Sequence, residues 1–114
     1  MNEPEVLLEL NGSVAILTLN RPKVLNALSR SLQLSLEKYI VQLENDDEVK
    51  CVIITGAGEK AFCAGGDIHE MDKFSKMDNP PADHPSSKWY TWRLMNCAKP
   101  LIGAINGLAF GGGA

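Results

Sequence analysis

Two glycine-rich corners, each placed after a run of strand-forming residues, constrain the fold of this chain more than any other feature. The first is AFCAGGDI, Ala61–Ile68, in which two glycines precede an acidic residue. The second is Gly111-Gly112-Gly113, which follows an apolar segment that begins at Leu101. Glycine tolerates positive φ and close approach, so both corners can expose main-chain N–H groups. Two sets of donors on separate segments are typical of an oxyanion hole, which binds a carbonyl oxygen as it gains negative charge.

Composition narrows the range of partners. The 114 residues carry a formal net charge of -3, and no cluster of Lys and Arg marks a nucleic-acid or membrane surface. The apolar run from Leu101 is interrupted by Asn106 and by glycines, which makes it too short for a transmembrane helix. We therefore expect one soluble domain without nucleic-acid or membrane partners.

The cysteines indicate a reducing compartment. Cys51, Cys63 and Cys97 are odd in number and widely spaced, as expected of small core residues rather than of a disulfide framework or a metal site. The acidic start of the chain also lacks the basic residues of a signal peptide. These features predict a cytoplasmic location and no bound metal.

The N-terminal segment predicts a β-hairpin. Val6–Leu10 and Val14–Leu19 are strand-like runs, and Asn11-Gly12 between them favours a type I′ turn, in which both central residues have positive φ. Proline at position 22 should end the second strand, because it lacks a donor for the ladder.

A helix is predicted after this hairpin. Ser29 or Ser31 can act as its N-cap, and it should run to about Glu44. Apolar residues recur at spacings of three and four, which predicts one buried stripe: Leu28, Leu32, Leu36, Tyr39, Ile40 and Leu43.

The segment Cys51–Thr55 has no polar alternation, which favours a strand covered on both faces. It is followed by GAGEKA, Gly56–Ala61, which fits the glycine pattern of a dinucleotide-binding fold. That pattern requires a long helix directly behind the glycines, whereas here the corner at Ala61–Ile68 follows at once. The dinucleotide interpretation is therefore disfavoured.

The second half alternates between helix and strand. A short helix is predicted from Asp67 to Phe74 with Asp67 as its cap, then a loop over Ser75–Pro85 and a helix over about Ser87–Ala98. Leu101–Asn106 should form the next buried strand. In the later helix, Trp89, Trp92 and Met95 share one stripe that fits a core or a subunit interface. The two histidines, His69 and His84, have no triad or zinc spacing and are interpreted as surface residues, as is Glu70.

Several motifs together resemble the crotonase, or enoyl-CoA hydratase/isomerase, superfamily. They are, in family order, Asn20-Arg21-Pro22, Asn26-Ala27-Leu28, the corner at Ala61–Ile68, Lys99-Pro100, Asn106-Gly107 and Gly111-Gly112-Gly113. The resemblance covers nearly the whole chain. It implies an α/β fold built as a spiral of ββα units, with residues 1–114 as the N-terminal part of a single acyl-CoA-binding domain. It also implies a homotrimer or hexamer.

The same resemblance implies the site residues. The N–H groups of Gly66 and Gly112 match the family's oxyanion donors, and an acyl-CoA thioester would be the substrate, with no prosthetic group. Contacts with coenzyme A are implied for two further sets: Lys23, Val24 and Leu25 in the loop before the first helix, and Ala64, Gly65, Asp67 and Ile68 at the first corner. Asp67 itself fits a cap that fixes this corner better than it fits a general acid.

The resemblance leaves the reaction open. In the hydratase branch, the acid and base carboxylates stand beyond the position that matches Ala114, so we expect residues 1–114 alone to lack hydratase activity. Hydratase, isomerase, dehydratase, thioester hydrolase and decarboxylase branches share the oxyanion hole and differ in these carboxylates. A non-catalytic acyl-CoA-binding or interaction module is the alternative. By itself, this half should expose a sheet edge and an apolar face, which predicts poor solubility.

Overall fold

The computed structural model describes residues 3–78 and 92–114, and it has the predicted α/β architecture. Residues 92–95 form one helical turn, so the helix predicted over Ser87–Ala98 ends earlier than expected, before residues 96–98. Residues 87–91 lie outside the described residues, as does most of the predicted loop. The elements are β1 Val6–Asn11, β2 Val14–Leu19, a 3-10 turn Pro22–Val24, α1 Arg30–Glu44, β3 Cys51–Gly56, β4 Ala61–Cys63, α2 Ile68–Ser75, β5 Leu101–Ala104, β6 Leu108–Ala109 and a 3-10 turn Gly111–Gly113.

The first two strands form the predicted hairpin, but its turn differs from the prediction. Asn11 pairs with Val14, so Gly12 and Ser13 are the two loop residues. Only Gly12 has positive φ, at 62°, as in a type II′ turn with glycine at its first central position. The predicted type I′ turn on Asn11-Gly12 is therefore wrong, because Asn11 continues the ladder and does not enter the turn.

The main sheet has four strands in the order β1-β2-β3-β5. Only β1 and β2 are antiparallel, while β2 pairs with β3, and β3 with β5, in parallel. The crossover from β2 to β3 contains α1, since parallel neighbours need a long connection. A second, two-stranded parallel sheet pairs β4 with β6. This small sheet brings the two glycine corners side by side, because each corner follows one of its strands.

One face of the main sheet and one stripe of α1 form the core. Ser29 caps α1, because its side chain accepts a hydrogen bond from the N–H of Leu32 at 3.1 Å. The predicted stripe is confirmed: Leu28, Leu32, Leu36, Ile40 and Leu43 are buried and Tyr39 packs against them half-buried. Strand β3 alternates between buried and half-buried residues. The prediction that β3 is covered on both faces is therefore wrong for the described chain.

Several apolar side chains at the C-terminal end lie exposed. Ile102 of β5 is 50% exposed, Trp92 is 50% exposed and Met95 is 81% exposed. Trp92 and Met95 therefore do not belong to the core of the described chain. The predicted strand Leu101–Asn106 ends earlier, at Ala104, since the Asn106 side chain bonds the backbone of Gly56 instead. In residues 3–78 and 92–114, no helix has the length and apolar character to span a membrane.

Lys99 connects the entry of β5 to the end of α1. Its ammonium group donates to the carbonyl oxygens of Leu43, at 2.6 Å, and Asp46. Carbonyls at a helix C-terminus lack intrahelical donors and carry partial negative charge, so a cation there is favourable. Replacing Lys99 by methionine should keep the aliphatic stem but lower the free energy of unfolding by about 1 kcal/mol.

Urea denaturation of Lys99→Met measures this loss. Lys76→Met is the matched control, because Lys76 is exposed and pairs only with Asp72 one helical turn away. Exposed pairs of this kind contribute little. Equal stabilities of the two variants would contradict the role assigned to Lys99.

Candidate functional site

The first glycine corner is held against the loop that precedes α1. The Leu28 N–H donates to the Gly65 carbonyl at 2.7 Å, and the Asp67 N–H donates to the Leu28 carbonyl at 3.3 Å. The Ala64 N–H donates to the Leu25 carbonyl at 3.0 Å. Leu28 and Gly66 thus form a parallel bridge. The loop and the corner, whose paired residues lie 37 to 39 positions apart in the chain, behave as two short parallel strands.

These bonds fix the direction of the Gly66 N–H. In a trans peptide the C=O and the following N–H point in opposite directions. Because the Gly65 carbonyl points at Leu28, the Gly66 N–H points away from it. Within residues 3–78 and 92–114 this N–H donates to no other protein group. A backbone donor with fixed direction and no protein acceptor is therefore available at the corner.

The second corner presents a similar donor. The Gly111 carbonyl accepts from the Ala114 N–H at 3.1 Å, so the Gly112 N–H points in the opposite direction, out of the start of the 3-10 turn. It too donates to no group in the described part of the chain. Among the described residues, the predicted oxyanion donors Gly66 and Gly112 are therefore both unpaired backbone N–H groups.

The two corners pack closely enough to require glycine. A Cβ on Gly65, where φ is 94°, would lie 2.8 Å from the Phe110 carbonyl oxygen and 3.5 Å from the Gly112 nitrogen. A Cβ on Gly113 would lie 2.2 Å from the Cys63 carbonyl oxygen. By contrast, a Cβ on Gly66 would meet only the terminal methyl of Met71, a flexible side chain. Gly65 and Gly113 are thus needed for packing, whereas Gly66 is constrained mainly by what its N–H binds.

A cleft of about 300 Å³ runs along the first corner. It brings together most residues predicted to contact coenzyme A, which come from segments more than 35 positions apart. Gly65 is buried behind the wall, and Gly112 lies instead on a separate apolar cleft of about 250 Å³. The first cleft is lined by Lys23, Val24, Leu25, Ala27, Ala64, Gly66, Asp67, Ile68 and His69. His69 is exposed, as predicted, and His84 lies outside the described residues.

Sequence reasoning missed the structural role of Asn26. Its side chain is fully buried, accepts from the Arg21 N–H at 2.8 Å and donates to the carbonyls of Ala57 and Ala61. Leu25 and Asn26 both have φ of 56°. Asparagine is enriched at such positive angles, and its presence just before a predicted helix was the available signal. Asn26 therefore fixes the loop that carries the predicted coenzyme A contacts.

Asp67 is the N-cap of α2, as predicted. One oxygen of its carboxylate accepts from the Glu70 N–H at 3.0 Å, and the other accepts from Arg21 at 2.9 Å. Burial would by itself raise the pKa of this carboxyl, but the Glu70 N–H and the Arg21 guanidinium outweigh burial and hold the pKa below its ordinary value. Asp67 is thus ionised and fully engaged, which does not suit a general acid.

Glu70 is a correction to the sequence interpretation. We expected a solvent-exposed side chain, but Glu70 is half-buried, and its carboxylate accepts from the Arg30 N–H at 2.8 Å. An acidic group beside the first N–H of a helix is favourable, because that end of the helix carries partial positive charge. Glu70 therefore ties α2 to the start of α1.

Cys63 is a core residue. Its thiol donates to the Asn26 carbonyl at 3.2 Å, and burial raises its pKa, although the Gly65 N–H opposes this effect. A thiol with raised pKa is a poor nucleophile at neutral pH. In the part of the chain that the structure describes, no group of three or more His, Cys, Asp or Glu residues could hold a metal ion.

The lowered pKa of Asp67 predicts how stability depends on pH. A carboxyl whose pKa is lower in the folded than in the unfolded state contributes stability above its unfolded pKa, near pH 4, and loses that contribution as the pH falls through its folded pKa. The stability difference between the parent chain and Asp67→Asn should therefore be largest near pH 6 and shrink below about pH 4. Urea denaturation from pH 7 to pH 3 measures it, and a pH-independent difference would contradict the ion pair.

The geometry rules out the dinucleotide alternative. After β3 ends at Gly56, residues 57–60 form bends, and the chain enters strand β4 and no helix. The phosphate-binding pattern needs a helix N-terminus at this point. Instead, Asn26 and Asn106 hold the turn from two sides, since both amides donate to the Ala61 carbonyl.

Comparisons with known proteins identify the family of the chain. The family model for enoyl-CoA hydratase/isomerase matches residues 14–114. The chain is 45% identical to a short-chain-enoyl-CoA hydratase of Clostridium acetobutylicum over 95% of the chain and 41% of that protein. It is 39% identical to the mitochondrial 3-hydroxyisobutyryl-CoA hydrolase of Rattus norvegicus over 96% of the chain and 29% of that protein.

A solved structure shows the same fold. An enoyl-CoA hydratase from Mycobacterium marinum superposes with a TM-score of 0.88 at 32% identity, covering 97% of this chain and 52% of that one. The chain thus spans between 29% and 52% of the length of these three relatives, and over that span it has the crotonase fold. From the matched family model and this fold, the chain belongs to the enoyl-CoA hydratase/isomerase family.

Proposed function

We propose that this chain is part of an acyl-CoA-processing enzyme of the enoyl-CoA hydratase/isomerase type, which stabilises a thioester enolate with the N–H groups of Gly66 and Gly112. The observation that carries the proposal is the Gly66 N–H. It is held in a fixed direction by the Leu28–Gly65 hydrogen bond and has no acceptor among residues 3–78 and 92–114. Membership of the family and relatives named for CoA thioesters support the substrate class.

The chemistry follows from the properties of a thioester. Removing or adding a proton beside its carbonyl, or adding a nucleophile one bond further out, places negative charge on the carbonyl oxygen. Two preorganised N–H donors stabilise that charge more than they stabilise the neutral ground state, and one such donor is typically worth about 3 to 4 kcal/mol. Backbone donors at fixed corners need little reorganisation during the reaction.

The 300 Å³ cleft fits the coenzyme A part of the substrate. Its wall combines a basic residue, Lys23, with Ala64 and Asp67 of the first corner and with the apolar residues Val24 and Ile68. A cation suits the phosphates, and apolar surface with backbone polar groups suits the pantetheine arm. Ile68 is 76% exposed, so it is free to contact a ligand.

Binding of a matched ligand pair tests the donors without requiring turnover. Butyryl-CoA has the thioester carbonyl, whereas S-butyl-CoA is a thioether without it. Titration calorimetry should show that the chain binds the thioester more tightly, by about tenfold for two hydrogen bonds of ordinary net strength. Equal affinities would contradict the oxyanion hole, and binding of neither ligand would contradict the acyl-CoA assignment.

A non-catalytic acyl-CoA-binding module is the second candidate, and one observation favours it. Asp67 and Glu70 are the carboxylates nearest in sequence to Gly66, and hydrogen bonds from Arg21, Arg30 and the Glu70 N–H engage both. Exchange of the α-protons of butyryl-CoA with deuterated water separates the candidates. A full-length enzyme of this type should catalyse the exchange, whereas a full-length binding module should bind the thioester without exchanging its protons.

The same proposal extends to the domain and the assembly of the whole protein. Residues 1–114 would form the N-terminal part of one acyl-CoA-binding domain, which acts without a prosthetic group. The exposed side chains of Ile102, Trp92 and Met95 would lie against further protein in a cytoplasmic trimer or hexamer. Sedimentation velocity of the purified protein tests the assembly.

A further inference from the structure

A continuous path of hydrogen bonds leads from Arg21 to the Gly66 N–H. The Arg21 guanidinium donates through Nη1 to the Ala27 carbonyl at 2.7 Å. The N–H of the same peptide group, on Leu28, donates to the Gly65 carbonyl, also at 2.7 Å. The N–H of that second peptide group belongs to Gly66. Two peptide groups in series therefore connect a cation with the unpaired donor at the corner.

Both bonds on this path lie at the short end of the usual range for N–H···O contacts. A cation that donates to a carbonyl draws electron density toward it and makes the N–H of the same peptide a better donor. Hydrogen bonds in series strengthen one another, by about 10 to 30% per bond. In a trans peptide each bond also sets the direction of the next N–H. The path thus affects both the orientation and the donor strength of Gly66.

We propose that Arg21 is a positioning residue that orients and polarises the Gly66 N–H through the Ala27–Leu28 and Gly65–Gly66 peptide groups. The consequence for thioesters rests on the proposed function, whereas the path itself is a property of the unliganded chain. Arg21 is partly buried, with 22% of its side chain exposed, which limits the screening of its charge by water.

An ordinary structural ion pair is the competing explanation. Arg21 also contacts Glu5, through Nε at 3.2 Å, and Asp67, through Nη1 at 2.9 Å. If Arg21 served only to hold these segments together, removing the Glu5 carboxylate should reproduce part of the effect that removing Arg21 has on the bound thioester. The Nε contact with Glu5 is separate from the Nη1 contact with Ala27, so Glu5→Gln is the matched control.

The thioester carbonyl reports the effect directly. Butyryl-CoA carrying ¹³C at its carbonyl should show a downfield displacement of that resonance on binding, because the donors polarise the C=O bond. In Arg21→Gln, which can still donate a neutral N–H, the displacement should fall by roughly a quarter or more. The preference for butyryl-CoA over S-butyl-CoA should also fall, by less than the about threefold that one hydrogen bond of ordinary net strength contributes. Arg21→Lys, which keeps the positive charge, should recover most of the carbonyl displacement and most of the preference for the thioester.

Glu5→Gln should keep the carbonyl displacement of the parent chain. An unchanged displacement in folded Arg21→Gln, or an equal loss in Glu5→Gln, would overturn the proposal. Arg21→Gln leaves the carboxylate of Asp67 without its cation, and that residue is only 8% exposed. If this variant fails to fold, Arg21→Gln/Asp67→Asn removes the unpaired charge, and comparison with Asp67→Asn alone gives the effect of Arg21.

A measurement on the unliganded chain separates the path from the proposed function. The amide proton of Leu28 should move upfield in Arg21→Gln, because its hydrogen bond to Gly65 loses polarisation, and that of Gly66 should follow by a smaller amount. If the chain binds no thioester but these shifts occur, the proposed function fails while the path stands. If Leu28 and Gly66 do not shift, the path is wrong whatever the chain binds.

Discussion

Replacing Gly66 by proline should lower the preference of the chain for butyryl-CoA over S-butyl-CoA from about tenfold to about threefold and, in an active enzyme, should lower kcat by about 100- to 1,000-fold. Proline deletes the N–H that is proposed to bind the thioester oxygen, and one such donor contributes about 3 to 4 kcal/mol to transition-state stabilisation. The deleted N–H donates to no group in residues 3–78 and 92–114, so its loss breaks no hydrogen bond within that part of the fold. Calorimetry with the two ligands measures the preference.

Gly66→Ala is the control for this prediction. Alanine adds a Cβ at the same place as proline does, where it would meet only the end of the flexible Met71 side chain, but it keeps the N–H. It should therefore retain most of the preference for the thioester. If Gly66→Pro binds the two ligands with the tenfold ratio of the parent chain, or if Gly66→Ala loses as much as Gly66→Pro, the donor role of Gly66 is wrong.

Replacing Asn26 by alanine should lower the free energy of unfolding by about 3 kcal/mol or more. The substitution removes the partners that the fully buried Asn26 supplies to the Arg21 N–H and to the carbonyls of Ala57 and Ala61, although the Ala61 carbonyl keeps the Asn106 amide. Each buried polar group without a partner costs about 1 to 3 kcal/mol. Alanine would also have to adopt the positive φ of 56°, which adds strain.

Urea denaturation compares Asn26→Ala with two other variants. Asn45→Ala makes the same chemical change at an exposed helix end, where the amide bonds only the Val41 carbonyl, and should change the free energy of unfolding by no more than about 0.5 kcal/mol. Asn26→Gly removes the same hydrogen bonds without the φ strain, so it should be less destabilising than Asn26→Ala. A loss below 1 kcal/mol for Asn26→Ala would show that the three contacts contribute little.

The local elements could be predicted because their signals are short-range. A serine cap, at Ser29 or Ser31, and the apolar spacing of three and four residues predict α1, and Asp67 as a cap predicts the start of α2. The hairpin follows from two strand-like runs and a glycine. Its turn type was mistaken, because an Asn-Gly pair fits more than one register and strand pairing decides which residues remain in the loop.

The predictions for the burial of β3 and for the environment of Glu70 are wrong for another reason. An apolar run shows that a strand can be covered on both faces, but only the packing of other segments decides whether it is. A glutamate on a short helix is usually solvated, but Glu70 meets the start of α1 because the corner at Gly66 brings the two helices together. These are contacts between residues 40 or more positions apart, which no local pattern contains.

The sequence by itself determined the family resemblance, the α/β class and the identity of the two glycine corners, since these depend on residue types at fixed local spacings. Only the tertiary structure decided which N–H groups remain unpaired, which residues share a cleft and how Arg21 reaches Gly66. The physical reason is that direction matters for a backbone donor. Every glycine has the same N–H, and its orientation is set by hydrogen bonds from distant segments, here those of Leu28 and Arg21.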